Sequence, residues 1–484
     1  MLKERIKSSA IVFLIFNMLF LVGEIWFVHS YSAVGELAVQ YLRSVPVIRG
    51  LLPEERSYSI PKENLSKPRK FLINDGSLWM AYYNTDVGYS PIEQRTRSII
   101  NGLLKGDITA TRKIPYETWE EGLESVSVYI EYPISFSIPL LCEIMGVSSA
   151  KAPQDAEHVK DFIILPSDEK NNVCVLVRDF SDNSDAYAYM LTGDYELPAE
   201  DLSVYANAGT DGYYEPAFST GLELDADNVS LNPLVLFSDS RPETDIIESR
   251  SLTGEEVDKH ILQAFSFNPV SVNDYLDKNG AVNYIENFAS AKFYPDSLFE
   301  YKAVSNDRGI VLNENTSDYS VLNSAIDFAE RVWSSAGGDS LNVLVTSDLS
   351  DYDSSRPYTF RFDYYCNGRP VEVRLPAAVG HEKMSCAIEM TVTEGRLIEY
   401  RQYMRGYSVR GKAAVYGTFV DALDGFANKL SSEKVKIVIE DIYIGYIDEG
   451  RSGELSACWL ARVNRDDKIY QYAPKSVQRA AVNQ

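Results

Sequence analysis

Histidine is nearly missing from this chain: His29, His158, His260 and His381 are the only four in 484 residues. They stand too far apart to suggest a triad or a metal cluster. Cysteine is scarce and odd in number. Cys142, Cys174, Cys366, Cys386 and Cys458 are widely spaced and form no CxxC, which argues against a disulfide framework or a zinc site. Cys366 and Cys386 fall on neighbouring predicted strands, so one bridge stays open beside the reading of five small buried hydrophobes. Positive charge is short, 46 Lys and Arg against 70 Asp and Glu, and the formal net charge of -24 disfavours nucleic acid and anionic lipid as partners. The sequence has no GxGxxG, Walker loop, HExxH or GxSxG. Ser148-x-x-Lys151 and Ser431-x-x-Lys434 match SxxK without companion motifs. The acid pairs Asp225/Asp227 and Asp351/Asp353 lack the glycine and terminal glutamate of a calcium loop. These absences predict no catalytic, cofactor-binding or metal-ligating residues, and therefore no enzyme.

Long apolar runs are also missing, with one exception. Ala10 to Val28 reads AIVFLIFNMLFLVGEIWFV, long enough to span a membrane as a helix. Lys3, Arg5 and Lys7 precede it, which holds the N-terminus in the cytoplasm and puts the bulk of the chain outside. Glu24, Ile25, Trp26 and Phe27 stand where a signal peptide would need small residues, so the segment reads as an uncleaved single-pass anchor. Asn17 and Glu24 interrupt the span on one helical face. Polar groups in hydrocarbon commonly face another helix, so these two residues are the candidate partner-binding face. For Glu24, reaching out to the interface is an equal alternative.

The rest is globular material: 45% of residues are hydrophobic and 12% aromatic. Its 32 tyrosines against 20 phenylalanines predict many half-buried sheet positions. The pattern divides into a cytoplasmic stub and anchor (1–30), a stalk (31–68), an N-terminal α+β domain (69–200), a middle domain (201–310) and a C-terminal domain (311–484). In the first domain, Ser90-Pro91-Ile92-Glu93 reads as a capping box opening a helix that Gly106 ends. Strand-like runs lie at 126–132, 161–165, 173–178 and 186–191. The middle domain is loop-heavy through 245, with a short helix at 255–265. The C-terminal domain shows an internal echo, with helices at 318–335 and 418–430 each followed by a meander. Turns at Asn367-Gly368 and Glu394-Gly395 mark hairpins. The fold class is α+β: an anchor followed by about three outer α+β domains, the last a tandem of helix-plus-antiparallel-sheet modules.

Three segments in this order resemble the YycH/YycI family, membrane-anchored regulators of the WalK (YycG) sensor histidine kinase of Gram-positive bacteria. They are ERIKSSAIVFLIFNMLFLVGEIWF at the N-terminus, the stretch containing Phe267, Pro269, Gly280, Tyr284 and Tyr301, and the C-terminal runs RFDYYCNGRPVEV, IEMTVTEGRLIEYRQY and IYIGYIDEGRSGELSACWLARV. Gly445-Tyr446 and Trp459 carry most of the last match, and Tyr446 and Trp459 read as core. The resemblance implies three outer α+β domains, no catalysis and no cofactor. The implied partners are a sensor histidine kinase and a sister YycI- or YycH-type regulator, and the implied pathway is cell-wall metabolism. The alternative is an extracytoplasmic protein or scaffold that binds wall polymer or peptide, with the tyrosines forming a sugar-binding groove.

Overall fold

The computed structural model describes residues 65–472, apart from residues 66, 84–88, 167–171, 181–184, 194, 196, 198–201, 203–214, 221–223, 225–227, 238–241, 270–271, 287, 315–316, 338–341, 376–382, 434 and 464–468. The expected anchor at 10–28, with Asn17 and Glu24, lies outside the described residues, as does nearly all of the stalk. Among the described residues, no helix is long and apolar enough to cross a membrane. The chain is a mixture of helix and predominantly antiparallel sheet.

The N-terminal part is one seven-stranded antiparallel sheet. Its strands are β1 (Lys70–Asn74), β2 (Trp79–Tyr83), β3 (Ile108–Ile114), β4 (Ser127–Ser137), β5 (His158–Leu165), β6 (Asn172–Asp179) and β7 (Ala186–Thr192), in the order β2-β1-β4-β5-β6-β7-β3. Strand β1 shows why these residues choose sheet. Phe71 and Ile73 point into one apolar cluster and Leu72 into another, so the period of two buries both faces. Helices α1 (Tyr89–Lys105) and α3 (Ile138–Met145) contribute to the first cluster, and α2 (Tyr116–Glu124) to the second. Helix α1 already includes Tyr89, so Ser90 lies inside its first turn, and the Glu93 carboxylate turns to Arg97 at 3.2 Å. Gly106 follows at φ +79°, where a Cβ would stand 2.3 Å from the Lys151 carbonyl oxygen.

The second large element is a fourteen-stranded sheet. Its main path runs through β12 (Asn273–Leu276), β13 (Val282–Glu286), β14 (Ala289–Phe293), β15 (Leu298–Ala303), β21 (Arg396–Tyr403), β20 (Ile388–Thr393), β18 (Tyr358–Cys366), β19 (Arg369–Val373), β23 (Ile437–Asp448), β25 (Cys458–Val463) and β26 (Ile469–Gln471). Strands β9 (Val229–Leu231), β16 (Ile310–Val311) and β17 (Asn342–Val345) join it at the side. Because β15 pairs with β21, the sheet runs continuously across position 310.

Cross-strand register sorts this sheet by chemistry. One row, Ala291, Tyr301, Tyr400, Met390 and Phe360, is buried. It lies beneath α4 (Glu255–Ala264), Phe265 and α5 (Asp318–Ser335), and the Phe265 ring stands 4.9 to 5.1 Å from Phe299, Tyr301, Phe328 and Tyr400. The adjacent row on the other face alternates charge as Lys292, Glu300, Arg401, Glu389 and Arg361. The tyrosines are more buried than expected. Tyr364 and Tyr400 have no exposure, and the equally buried Gln402 satisfies both hydroxyls: its Nε2 donates to Tyr364 at 2.8 Å and its Oε1 accepts from Tyr400 at 2.7 Å. The hairpin turns match their signals: Asn367 and Gly368 adopt φ of 46° and 74°, Glu394 and Gly395 of 49° and 70°.

Strands β11 (Glu243–Ser251), β22 (Arg405–Ala414) and β24 (Gly453–Leu455) form a third sheet, and β8 (Glu215–Pro216) with β10 (Leu236–Phe237) a two-stranded ribbon. The loop-heavy expectation therefore ends at Glu243, where β11 begins. Helix α6 (Phe419–Leu430) opens with a Thr418/Asp421 capping box. All five cysteines are free thiols, so the bridge left open between Cys366 and Cys386 is not formed. Tyr446 and Trp459 are both core residues, as expected.

Candidate functional site

Among the described residues, three ion-paired groups of buried and half-buried side chains tie elements together. The first lies where β21 passes into β22. Arg405 and Asp448, at 1% and 0% exposure, pair at 2.8 Å, and Asp448 also accepts from Ser249, Tyr407 and the Gly450 N–H. The second joins the two large sheets. Arg69 pairs with Asp441 of β23, and Lys70 pairs with Glu131 of β4 at 2.9 Å. Burial opposes charge on Glu131, but Lys70 and Arg69 outweigh it and hold the carboxyl well below the usual range. Nearby on β18 and β19, Asp363 and Glu372 are both pushed up, Asp363 by burial and then by Glu372, Glu372 by burial. The third group is in the N-terminal sheet. Arg178 pairs with Asp161 and stacks over the rings of Trp119 at 4.4 Å and Phe180 at 4.3 Å. In each group the charges are turned toward one another, although Asp161 Oδ1 and Arg178 Nε find no hydrogen-bond partner among the described residues, and this pairing suits the groups to holding sheets in register.

The open site lies on the α2 side of the N-terminal sheet. Helix α2 packs over the middle strands through Trp119 and Leu123. Gly122 brings it close, since a Cβ there would sit 2.5 Å from Leu176 Cδ1. At nine residues the helix is short, and it packs against β4, β5 and β6 but leaves this face of β7 and β3 uncovered. The result is a groove of about 480 Å³. Ile114, Leu165, Cys174, Leu176, Ala188 and Met190 line its apolar floor, and Arg112, Thr118 and Glu121 stand at its polar rim. No tyrosine lines it, so the tyrosine-based sugar groove is not formed here.

Strand β3 forms the outer wall of this groove and the edge of the sheet. Among the described residues it pairs only with β7, and Thr109 through Lys113 are all exposed. Among the described residues Arg112 makes no ion pair, whereas Lys113, on the opposite face, reaches Asp185 at 2.6 Å. Sequence reading missed this site, because its residues come from five separate elements. Among the described residues, no three His, Cys, Asp or Glu side chains group to hold a metal.

In fold, the chain is similar to YycH from Bacillus subtilis. The superposition covers 86% of this chain and 98% of that one, with a TM-score of 0.54 and 11% sequence identity. No family model and no curated protein sequence matches the chain. The likeness to YycH is therefore one of architecture.

Proposed function

We propose that this chain is a non-enzymatic, extracytoplasmic regulator of a two-component sensor histidine kinase that controls cell-wall metabolism, and a member of the YycH/YycI family. The observation that carries the reading is the YycH-like fold, which spans 98% of that protein, together with the order of the resembling segments along this sequence. On this reading residues 10–28 anchor the chain as a single pass with a cytoplasmic N-terminus. Residues 31–68 form a stalk, and the domains at 69–200, 201–310 and 311–484 stand outside. Regulation works by population shift: contacts that differ between two kinase states bias their balance. Asn17 and Glu24 supply the intramembrane contacts, and a sister regulator joins the complex.

The test is affinity purification of the full-length protein from its own membranes, beside a variant carrying Asn17→Leu and Glu24→Leu. Recovery of a sensor kinase with the wild type and its loss with the variant support regulation through the membrane face. Recovery of wall polymer or a synthase, without a kinase, overturns the reading. The groove beside β3 favours a second reading, a peptide-binding protein or scaffold. Its apolar floor, with no aromatic residue, suits a peptide better than a sugar chain.

A further inference from the structure

We propose that the free edge of β3 takes an extended peptide segment as an eighth strand of the N-terminal sheet, with apolar side chains entering the adjoining groove and a carboxylate meeting Arg112. The chemistry stands on the edge and the groove. Assigning the segment to a membrane partner rests on the regulator reading.

An edge strand presents a row of unpaired N–H and C=O groups, which is a template for another strand. Strand β3 is such an edge: among the described residues, no backbone hydrogen bond is made on its outer side from Thr109 to Lys113. The opposite edge of the same sheet is shielded. Met80, Ala81 and Tyr82 of β2 are buried, and the Trp79 ring meets Phe218 edge-on at 5.3 Å. One edge is thus covered and the other left open beside a groove.

Register shows which side chains an added strand would deliver. Ala110, Arg112 and Ile114 alternate toward the groove, opposite Met190, Ala188 and Ala186. Ala110 and Ala188 are small, so the floor dips behind the edge. Every second side chain of an added strand therefore reaches over Ala110 into an apolar space of about 480 Å³. Arg112 sits on that same face without a counter-ion among the described residues, which favours an acidic residue in the register opposite it. Charges separated by more than about 8 Å are largely screened at physiological salt, so the distant acidic surface weighs little here, and Glu121 on the same rim is the acid set against Arg112.

The probe is a fluorescein-labelled synthetic heptapeptide that alternates Val with Glu, beside a counterpart that alternates Val with Lys. Fluorescence anisotropy with the full chain should show saturable binding of the Glu peptide below about 1 mM. Arg112→Glu should weaken that peptide about tenfold or more and strengthen the Lys peptide. Ala110→Trp should abolish binding of both by filling the groove mouth, with circular dichroism and the urea midpoint unchanged. A carbonyl-labelled Glu peptide should show the infrared shift of a strand joined to a sheet. No binding by the wild type, or binding indifferent to Arg112→Glu and Ala110→Trp, overturns the proposal. If peptide binding follows these substitutions but Arg112→Glu leaves kinase recovery from membranes unchanged, the strand-addition site stands and its assignment to that partner is overturned.

Discussion

Replacing Asp448 with Asn tests whether the buried Arg405 pair holds the third sheet to the large one. Asp448 is fully buried at the end of β23, and its two oxygens accept five hydrogen bonds. One oxygen takes Arg405 Nε at 2.8 Å, Ser249 at 2.7 Å and Tyr407 at 2.8 Å; the other takes Arg405 Nη2 at 3.1 Å and Gly450 N–H at 2.7 Å. Asparagine keeps the shape but offers one acceptor oxygen. Placed toward the three-donor side, it turns its NH2 onto two donors, each of which loses about 1–3 kcal/mol of satisfied hydrogen bonding. Arg405 also loses its counter-charge at a site where it is only 1% exposed. Removing one partner of a buried ion pair costs about 3–5 kcal/mol. The two routes describe the same loss and do not add, so Asp448→Asn should destabilise the chain by about 3–5 kcal/mol. Urea unfolding followed by tryptophan fluorescence reads this as a lower midpoint at an unchanged slope. The exposed Asp424→Asn on α6 is the control and should move stability by less than about 0.5 kcal/mol. A loss below about 1 kcal/mol for Asp448→Asn would refute the reasoning.

Two further outcomes follow from the other buried charges. Burial, helped by Asp327, pushes Glu330 of α5 up to about 7, so folding favours its neutral form. Its contribution is fully present below the unfolded carboxyl range of about 4.3 and is lost as pH rises through about 7. Glu330→Gln should therefore gain in melting temperature relative to wild type between about pH 4 and pH 8, and a difference that stays flat across that window contradicts the assignment. Arg178→Lys keeps a charge beside Asp161 but loses the planar stack over Trp119 and Phe180. It should cost about 1–2 kcal/mol in the same urea assay, and a neutral result would show that the stack contributes nothing.

Sequence made some elements plain and hid others for identifiable reasons. Helices α5 and α6 carry a clean apolar stripe and a side-chain cap, Ser317 and Thr418, and both were readable to within a residue. The hairpins at Asn367-Gly368 and Glu394-Gly395 were equally plain, because few other dipeptides suit two left-handed positions. Strand β3 was missed because Arg112 interrupts the Ile108, Ala110 and Ile114 face of ITATRKI and Ala110 adds little apolar signal, so that pairing with β7 is what defines it. Strand β22 is similar, exposed over most of its length and defined by pairing with β11. Helix α3, IPLLCEIM, is buried nearly all round, so it shows no stripe that separates helix from strand. The groove had no signal of its own. It depends on where α2 stops and on two small residues, Ala110 opposite Met190 and Ala188 opposite Arg112, which the β3–β7 register puts on one face.

The position of Arg69 gives the anchored reading a mechanical consequence. The chain enters the described fold through Lys67, Pro68, Arg69 and Lys70, and this entry is fixed at several points. The Pro68 carbonyl accepts from the Tyr89 hydroxyl at 2.6 Å, and the Arg69 N–H donates to the Glu131 carbonyl at 2.6 Å. The Arg69 guanidinium pairs with Asp441 of β23, and the Lys70 ammonium with the Glu131 carboxylate. A segment arriving at Lys67 would thus meet both large sheets at their junction. On the regulator reading proposed above, this fixed entry at 67–70 is where a membrane segment would be coupled to the outer fold.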